Sequence, residues 1–240
     1  MMSPTSASRA PLRRMSRLRI FGGLLLLFAA SMPATQESGP LNWDRALSDL
    51  GLVDVQTISP DILVELKYAT EDNFLHKNVY GDLKKCYLVK EAASKLAAAQ
   101  KNLAALKPGC RLKVIDGARP RRIQSAMWAL VIGTPQQPFV ANPKTGSNHN
   151  YGAAVDLTIV DEKGRELDMG TKFDFFGDLA QPRLEDTLLK KGSLSANQVQ
   201  NRRLLRKIMA EAGFISISSE WWHFDAFPTA EVRKRFKIIE

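Results

Sequence analysis

The sequence predicts an α+β fold: a single domain over residues 43–240, in which a central antiparallel sheet has helices packed around it, preceded by a signal peptide (1–34) and a linker (35–42). Three observations lead there. Stretches with period-two alternation are interspersed with stretches at helical spacing. The one visible hairpin signal joins its strands antiparallel. No internal repeat or low-complexity tract breaks up the 240 residues, and a hydrophobic content of 45% is enough to bury one real core.

Residues 1–34 contain Arg9, Arg13, Arg14, Arg17 and Arg19, no acidic residue, and an apolar run from Ile20 to Met32 followed by small residues. A basic stretch, an apolar centre and a small-residue end are the three parts of a secretory signal. The run is 13 residues long, short of the ~20 that a spanning helix needs. The expected location is therefore periplasmic or secreted, with no membrane span after the leader is removed. Residues 35–42 are polar, carry Gly39 and Pro40, and read as a linker.

Within the domain, Ile62, Val64, Leu66 and Tyr68 alternate with Leu63, Glu65 and Lys67, the pattern of a half-buried strand. Residues 69–81 are mostly polar and loop-like. Val89, Ala92, Leu96, Ala99, Leu103 and Leu106 stand at helical spacing, and Lys107-Pro108-Gly109 ends that helix. A short strand is expected over 112–115 and a helix over 122–132, with Pro120 in its first turn. Residues 134–146 hold three prolines and Gly146, and read as a loop. Residues 153–160 alternate, Asp161-Glu162-Lys163-Gly164 turns the chain, and a second short strand follows. Residues 195–212 form a helix with Ser195 as N-cap and Gly213 at its end. Residues 214–219 alternate again and lead into Glu220 and a strand-like segment that His223 ends.

The net charge of +9 invites a nucleic-acid reading, but more than half of the excess lies in the arginines of the leader. The remaining Lys and Arg form no long run and do not interleave with aromatics, so a solvated surface is expected and no nucleic-acid partner. No obligate protein partner is expected either. Cys86 and Cys110 are the only cysteines. In an oxidising compartment they are the minimum for one disulfide; two free thiols are the alternative.

Two of the three histidines sit in informative surroundings: His149 in Ser147-Asn148-His149-Asn150-Tyr151-Gly152, seven residues before Asp156, and His223 in Glu220-Trp221-Trp222-His223. Two imidazoles and one carboxylate form a three-ligand set for Zn²⁺ that leaves a fourth position open, as catalytic rather than structural zinc requires. Asp156 is the lone charge in an apolar strand, and a buried carboxylate needs a partner or a metal. Glu220 is placed to take a proton from water beside such an ion. Glu220 and His223 are three residues apart, so both reach one site only if the backbone turns between them. His76, in a polar loop, reads as a surface residue.

Taken together, Ser147, His149, Gly152 and Asp156 followed by Glu220 and His223 strongly resemble the zinc D-alanyl-D-alanine dipeptidases, which share a wider superfamily with D,D-carboxypeptidases of the cell wall. Tyr68-Ala69-Thr70-Glu71-Asp72-Asn73-Phe74, Val79-Tyr80-Gly81, Asp116-Gly117-Ala118-Arg119-Pro120 and residues 169–175 extend the resemblance over about residues 54–228. It implies one zinc ion per chain on His149, Asp156 and His223, with Glu220 as general base. Arg119 would stabilise the oxyanion, and Asp174 would hold the free ammonium of a dipeptide, helped by Ser147 and Tyr80. On the residues alone, Arg119 is equally an ion-pair partner of Asp116, and Asp174 a loop-capping carboxylate. Ala118 departs from the family, where an aromatic is common. The implied activity is hydrolysis of D-alanyl-D-alanine, a small dipeptide, in peptidoglycan turnover or dipeptide recovery. The rival readings are a D,D- or L,D-carboxypeptidase and a non-catalytic zinc-stabilised wall-binding module.

Overall fold

The computed structural model describes residues 42–240; the signal-peptide segment 1–34 and residues 35–41 of the linker lie outside the described residues. In chain order these form α1 (Trp43–Asp49), β1 (Leu52–Asp54), α2 (Val55–Ile58), β2 (Leu63–Val64), β3 (Tyr87–Val89), α3 (Lys90–Leu106), β4 (Arg111–Asp116) and α4 (Arg121–Val131). They continue with β5 (Ala154–Val160), α5 (Glu185–Lys190), α6 (Ala196–Glu211), β6 (Ile215–Ser216), β7 (His223–Asp225) and α7 (Thr229–Arg235). The expected α+β class stands, and no described helix is long and apolar enough to cross a membrane.

The sheet runs β2-β4-β5-β7-β6, and β1 pairs with β3 in a separate two-stranded ribbon. The main sheet is mixed, not purely antiparallel: β2 lies parallel to β4, and the other neighbours are antiparallel. Alternation predicts a strand but not its direction. A parallel neighbour requires a long crossover, and here the ribbon strand β3 and helix α3 lie between β2 and β4 in sequence.

β5 is the centre, and every one of its residues is buried. Val155, Leu157 and Ile159 join the core that Leu96 and Leu103 of α3 also enter; burying each such side chain stabilises by roughly 1.5–3 kcal/mol. The opposite face carries Asp156 and Thr158. Asp156 stands across from Asp116 on β4 and from His223 on β7, so register alone aligns three polar residues across three strands.

Other expectations shift for local reasons. The turn at 161–164 forms, but its return is one bridge, Val160 to Glu166, rather than a strand. The expected strand at 62–68 keeps only two residues, because Lys67–Ala69 wind into a 3-10 turn. His223 begins β7 rather than ending a strand, since residues 218–222 bend. Pro120 caps α4 from outside its first turn. Ser195 caps α6 as expected, in a capping box with Gln198.

The disulfide does not form: Cys86 and Cys110 are both free thiols. Cys86 Sγ packs on Gly117, where a Cβ would lie 2.5 Å from it, and Gly117 follows the last residue of β4. Cys110 precedes the first residue of β4. An intervening strand of this length holds its ends roughly 20 Å apart, and a bridge requires Cα atoms within ~7 Å.

Candidate active site

His149 sits in the 3-10 turn Asn148–Tyr151, capped by Ser147 and ended by Gly152 in the left-handed region at φ 64°. Only glycine adopts that conformation without a steric cost. The turn folds the chain back so that His149 Nε2 comes within 3.2 Å of Asp156 Oδ1. The seven-residue spacing thus converges as expected. From β7, His223 Nδ1 lies 3.0 Å from the same oxygen and 3.1 Å from His149 Nε2.

The outer nitrogens fix both rings. His149 Nδ1 donates to Gly117 O at 2.8 Å, because a carbonyl can only accept. His223 Nε2 lies 3.0 Å from Asp225 Oδ1. Each ring therefore turns its other nitrogen inward, the arrangement that orients imidazole ligands in metal sites. Two inward ring nitrogens and a buried carboxylate need a cation between them, a proton or a metal ion. Burial opposes charge on Asp156, but His149 beside it and hydrogen bonds from both rings hold its carboxyl below the usual range. Burial likewise opposes charge on His223, yet Asp156 and Asp225 raise it well above an ordinary histidine. A pocket that attracts a proton this strongly also suits a divalent ion, for which a proton competes.

Glu220 lies in the bend at 218–222, and that bend supplies the turn by which Glu220 and His223 face one cavity. Its carboxyl is pushed up to about 7, first by burial and then by the Asp156 charge, against the opposing charges of His223, Arg119 and His149.

Arg119 is held firmly. Its Nε and Nη2 donate to Asp116 Oδ2 at 2.8 and 2.5 Å, and Nη1 donates to Gln124 Oε1 at 3.0 Å. The ion pair with Asp116 is real, yet Arg119 also faces the cavity, with Nη2 3.6 Å from Asp156 Oδ2. Burial opposes its charge, but the Asp116 carboxylate keeps it a cation. The ion pair with Asp116 thus leaves the guanidinium on the cavity wall.

A cavity of about 250 Å³ brings together His149, Asp156, His223, Glu220, Arg119, Asp174 and Ser147. Asp174 has a left-handed backbone at φ 59° and accepts from Tyr68 Oη through both oxygens at 3.0 Å. Burial, with the Asp156 charge, raises its carboxyl well above the usual range. Ser147 both lines the cavity and accepts from His149 N.

Tyr80 does not belong to the cavity wall. It is buried, and its hydroxyl donates to Asp116 Oδ1 at 2.6 Å, so it supports the carboxylate that holds Arg119. Tyr68 occupies the place expected of Tyr80, with its ring 5.2 Å from the Arg119 guanidinium. The period-two alternation that placed Tyr68 on a strand hid it; the polar 69–81 stretch right after it was the available signal. Asp225, Gln124 and the Gly117 carbonyl also escaped the sequence, since supporting contacts leave no spacing pattern. Ala118 is buried outside the cavity wall, so its departure from the family pattern does not touch the pocket.

Comparison with known proteins follows the same lines. A family profile described as D-ala-D-ala dipeptidase, of the peptidase M15 group, matches residues 48–239. A D-alanyl-D-alanine dipeptidase of Escherichia coli K12 is 39% identical over 72% of this chain and 83% of its own length. Proteins of the same name from Enterococcus faecium and Enterococcus faecalis are 31% and 33% identical, over 73% and 67% of this chain and 91% and 83% of theirs.

Proposed function

The chain belongs to the D-Ala-D-Ala dipeptidase family of metallopeptidases, and from that premise we propose that it hydrolyses D-alanyl-D-alanine to two D-alanines with one zinc ion held by His149, Asp156 and His223. The observation that carries this reading is the triangle of donor atoms, with sides of 3.0, 3.1 and 3.2 Å. Donors ~2.0–2.1 Å from a tetrahedral centre stand about 3.3 Å apart, so the three fit a single zinc ion with a fourth position free. When bound, zinc supplies a water acidified toward ~7 and polarises the scissile carbonyl.

The chain's own groups do the rest. Glu220 takes the proton of the attacking water and returns it to the leaving amine. Burial pushes that carboxyl up and the cations around it pull it down, the balance a group that both takes and returns a proton needs. Arg119, held by Asp116 and Gln124, presents a fixed cation where negative charge develops on the substrate carbonyl. Asp174 receives the substrate ammonium; an arriving cation favours its charged form and reverses the effect of burial. Ser147 and Tyr68 supply hydrogen-bonding groups at the same cavity. A cavity of about 250 Å³ lies at the small end of ligand pockets, which run from roughly 300 Å³ upward, and that favours a dipeptide over a peptidoglycan stem. The basic, apolar leader supports export, and with it a role in wall turnover or dipeptide recovery outside the cytoplasm.

The test is hydrolysis of a panel of dipeptides of both chiralities, with and without chelator, beside N-acetyl-D-Ala-D-Ala. Chelator-sensitive cleavage of D-Ala-D-Ala is expected, with little on the acylated peptide. Preference for the acylated peptide would turn the assignment to a carboxypeptidase.

A further inference from the structure

The Asp174 carboxylate accepts from Tyr68 Oη, but the backbone that carries it belongs to no helix or strand. It stands in the loop between β5 and α5, in a left-handed conformation that a non-glycine residue rarely adopts. Something outside the loop must hold it there.

Arg202 of α6 is fully buried, an unusual place for an arginine. Its Nε donates to Met169 O at 2.6 Å, and its Nη2 donates to Leu179 O at 2.8 Å. These two carbonyls bracket Asp174, five residues to either side. The remaining nitrogen, Nη1, has no hydrogen-bond partner and faces Glu185 Oε1 at 3.8 Å. Burial lowers the guanidinium to about 10, with Glu185 opposing that shift, so it remains a cation at neutral pH. The same helix adds Asn201 Nδ2 to Asp168 O at 2.9 Å and Gln198 Nε2 to Asp168 Oδ2 at 2.9 Å. Gly170 lies close to α6: a Cβ there would stand 3.2 Å from Gln198 Cδ, and 2.5 Å from Leu194 Cδ2 just before the helix. Trp221, next to Glu220, donates to Thr171 Oγ1 at 2.8 Å.

We propose that Arg202 is a positioning residue for substrate recognition: its buried guanidinium clamps both ends of the 169–179 loop and so fixes Asp174 against the substrate ammonium. This rests on the role proposed for Asp174. The planar fork explains the residue type. Two N–H groups diverge at fixed angles to reach two separate carbonyls, whereas a lysine ammonium is a single point charge on a flexible stem.

The experiment measures kcat and KM of the zinc-loaded protein on D-Ala-D-Ala and on N-propionyl-D-alanine, which has the same skeleton without the amine. Asp174→Asn should erase the preference for the free amine. Arg202→Lys keeps the charge and should cut that preference by about tenfold or more, mainly through KM, as a misplaced binding group does. Adding Arg202→Lys to Asp174→Asn should cost no further preference, because the two act as one unit. Hydrogen exchange of residues 168–180 should quicken in Arg202→Lys while α3 and β5 match the parent. Equal loss on both substrates, or parental exchange in the loop, would mark Arg202 as merely structural and overturn the proposal alone. Full preference retained in Asp174→Asn would overturn the reading of Asp174 and the proposal with it. If Arg202→Lys does not fold, the parent protein decides: the clamp requires the 168–180 amides to be protected, and free exchange there overturns it.

Discussion

Glu220 carries the sharpest residue-scale consequence. Glu220→Gln keeps the shape and the metal ligands and removes the proton acceptor, so hydrolysis should fall by roughly 10²–10⁴-fold with bound zinc unchanged. Metal analysis beside the assay checks both. The same substitution should alter stability with a definite sign. The folded carboxyl sits at about 7, above its ordinary 4.5, so the folded state holds the proton more tightly than the unfolded chain. Stability is then full below about 4.5 and is lost as pH rises toward about 7. In metal-free protein, Glu220→Gln should therefore gain on the parent across that window, by on the order of 3 kcal/mol at most. Urea unfolding at pH 5 and pH 8 reads the difference; no change in the gap would show that Glu220 is not shifted. The two tyrosines make the complementary point. Tyr80 and Tyr68 are both buried beside the site, and both give their hydroxyls to carboxylates, Asp116 and Asp174 respectively. Which of them faces the cavity depends on the turn at Lys67–Ala69, and no local pattern encodes that choice.

Among the elements, the capped turn Asn148–Tyr151 and strand β5 form one unit. Gly152 joins them at φ 64°, and a Cβ there would collide with Leu52 Cδ2. Gly152→Ala should thus cost about 1–3 kcal/mol of stability, from the left-handed backbone and the displaced Leu52. Because the same turn aims His149, it should also weaken zinc retention, measured by competition with a chelator. Parental stability and retention would show that the turn tolerates a side chain. The elements themselves were largely readable: α3, α4 and α6 follow their apolar spacing and punctuation, and β5 falls where residues 153–160 alternate. Short ones were not. α1, α2, α5 and α7 span seven residues or fewer, too few for periodicity to stand out, and β6 and β7 are cut short by the bend that brings in Glu220.

For the whole molecule, the placement of the three candidate donors should link metal binding to folding. The three donors come from a turn, from β5 and from β7, and they meet only when the sheet is assembled. An ion that binds this arrangement and not the unfolded chain stabilises the fold by mass action. Chelator should therefore lower the melting temperature as well as stop hydrolysis, and added zinc should restore both; an unchanged melting temperature would mean that the fold and the ion are independent. The two thiols give a second whole-molecule check. The unfolded protein should titrate two free cysteines without reductant, and reductant should leave the melting temperature unchanged.

By itself, the sequence determined the α+β class, the family resemblance and the three candidate donors that the fold brings together, because those depend on residue type and short spacing. Tertiary structure alone decided the parallel β2–β4 pair, the separation of Cys86 from Cys110, the exchange of Tyr80 for Tyr68 and the clamp from Arg202. The physical reason is range. Spacing reports what a few consecutive residues do to one another, whereas strand direction, the distance between two thiols and the partner of a buried hydroxyl are set by segments tens of residues apart that meet only in the packed core.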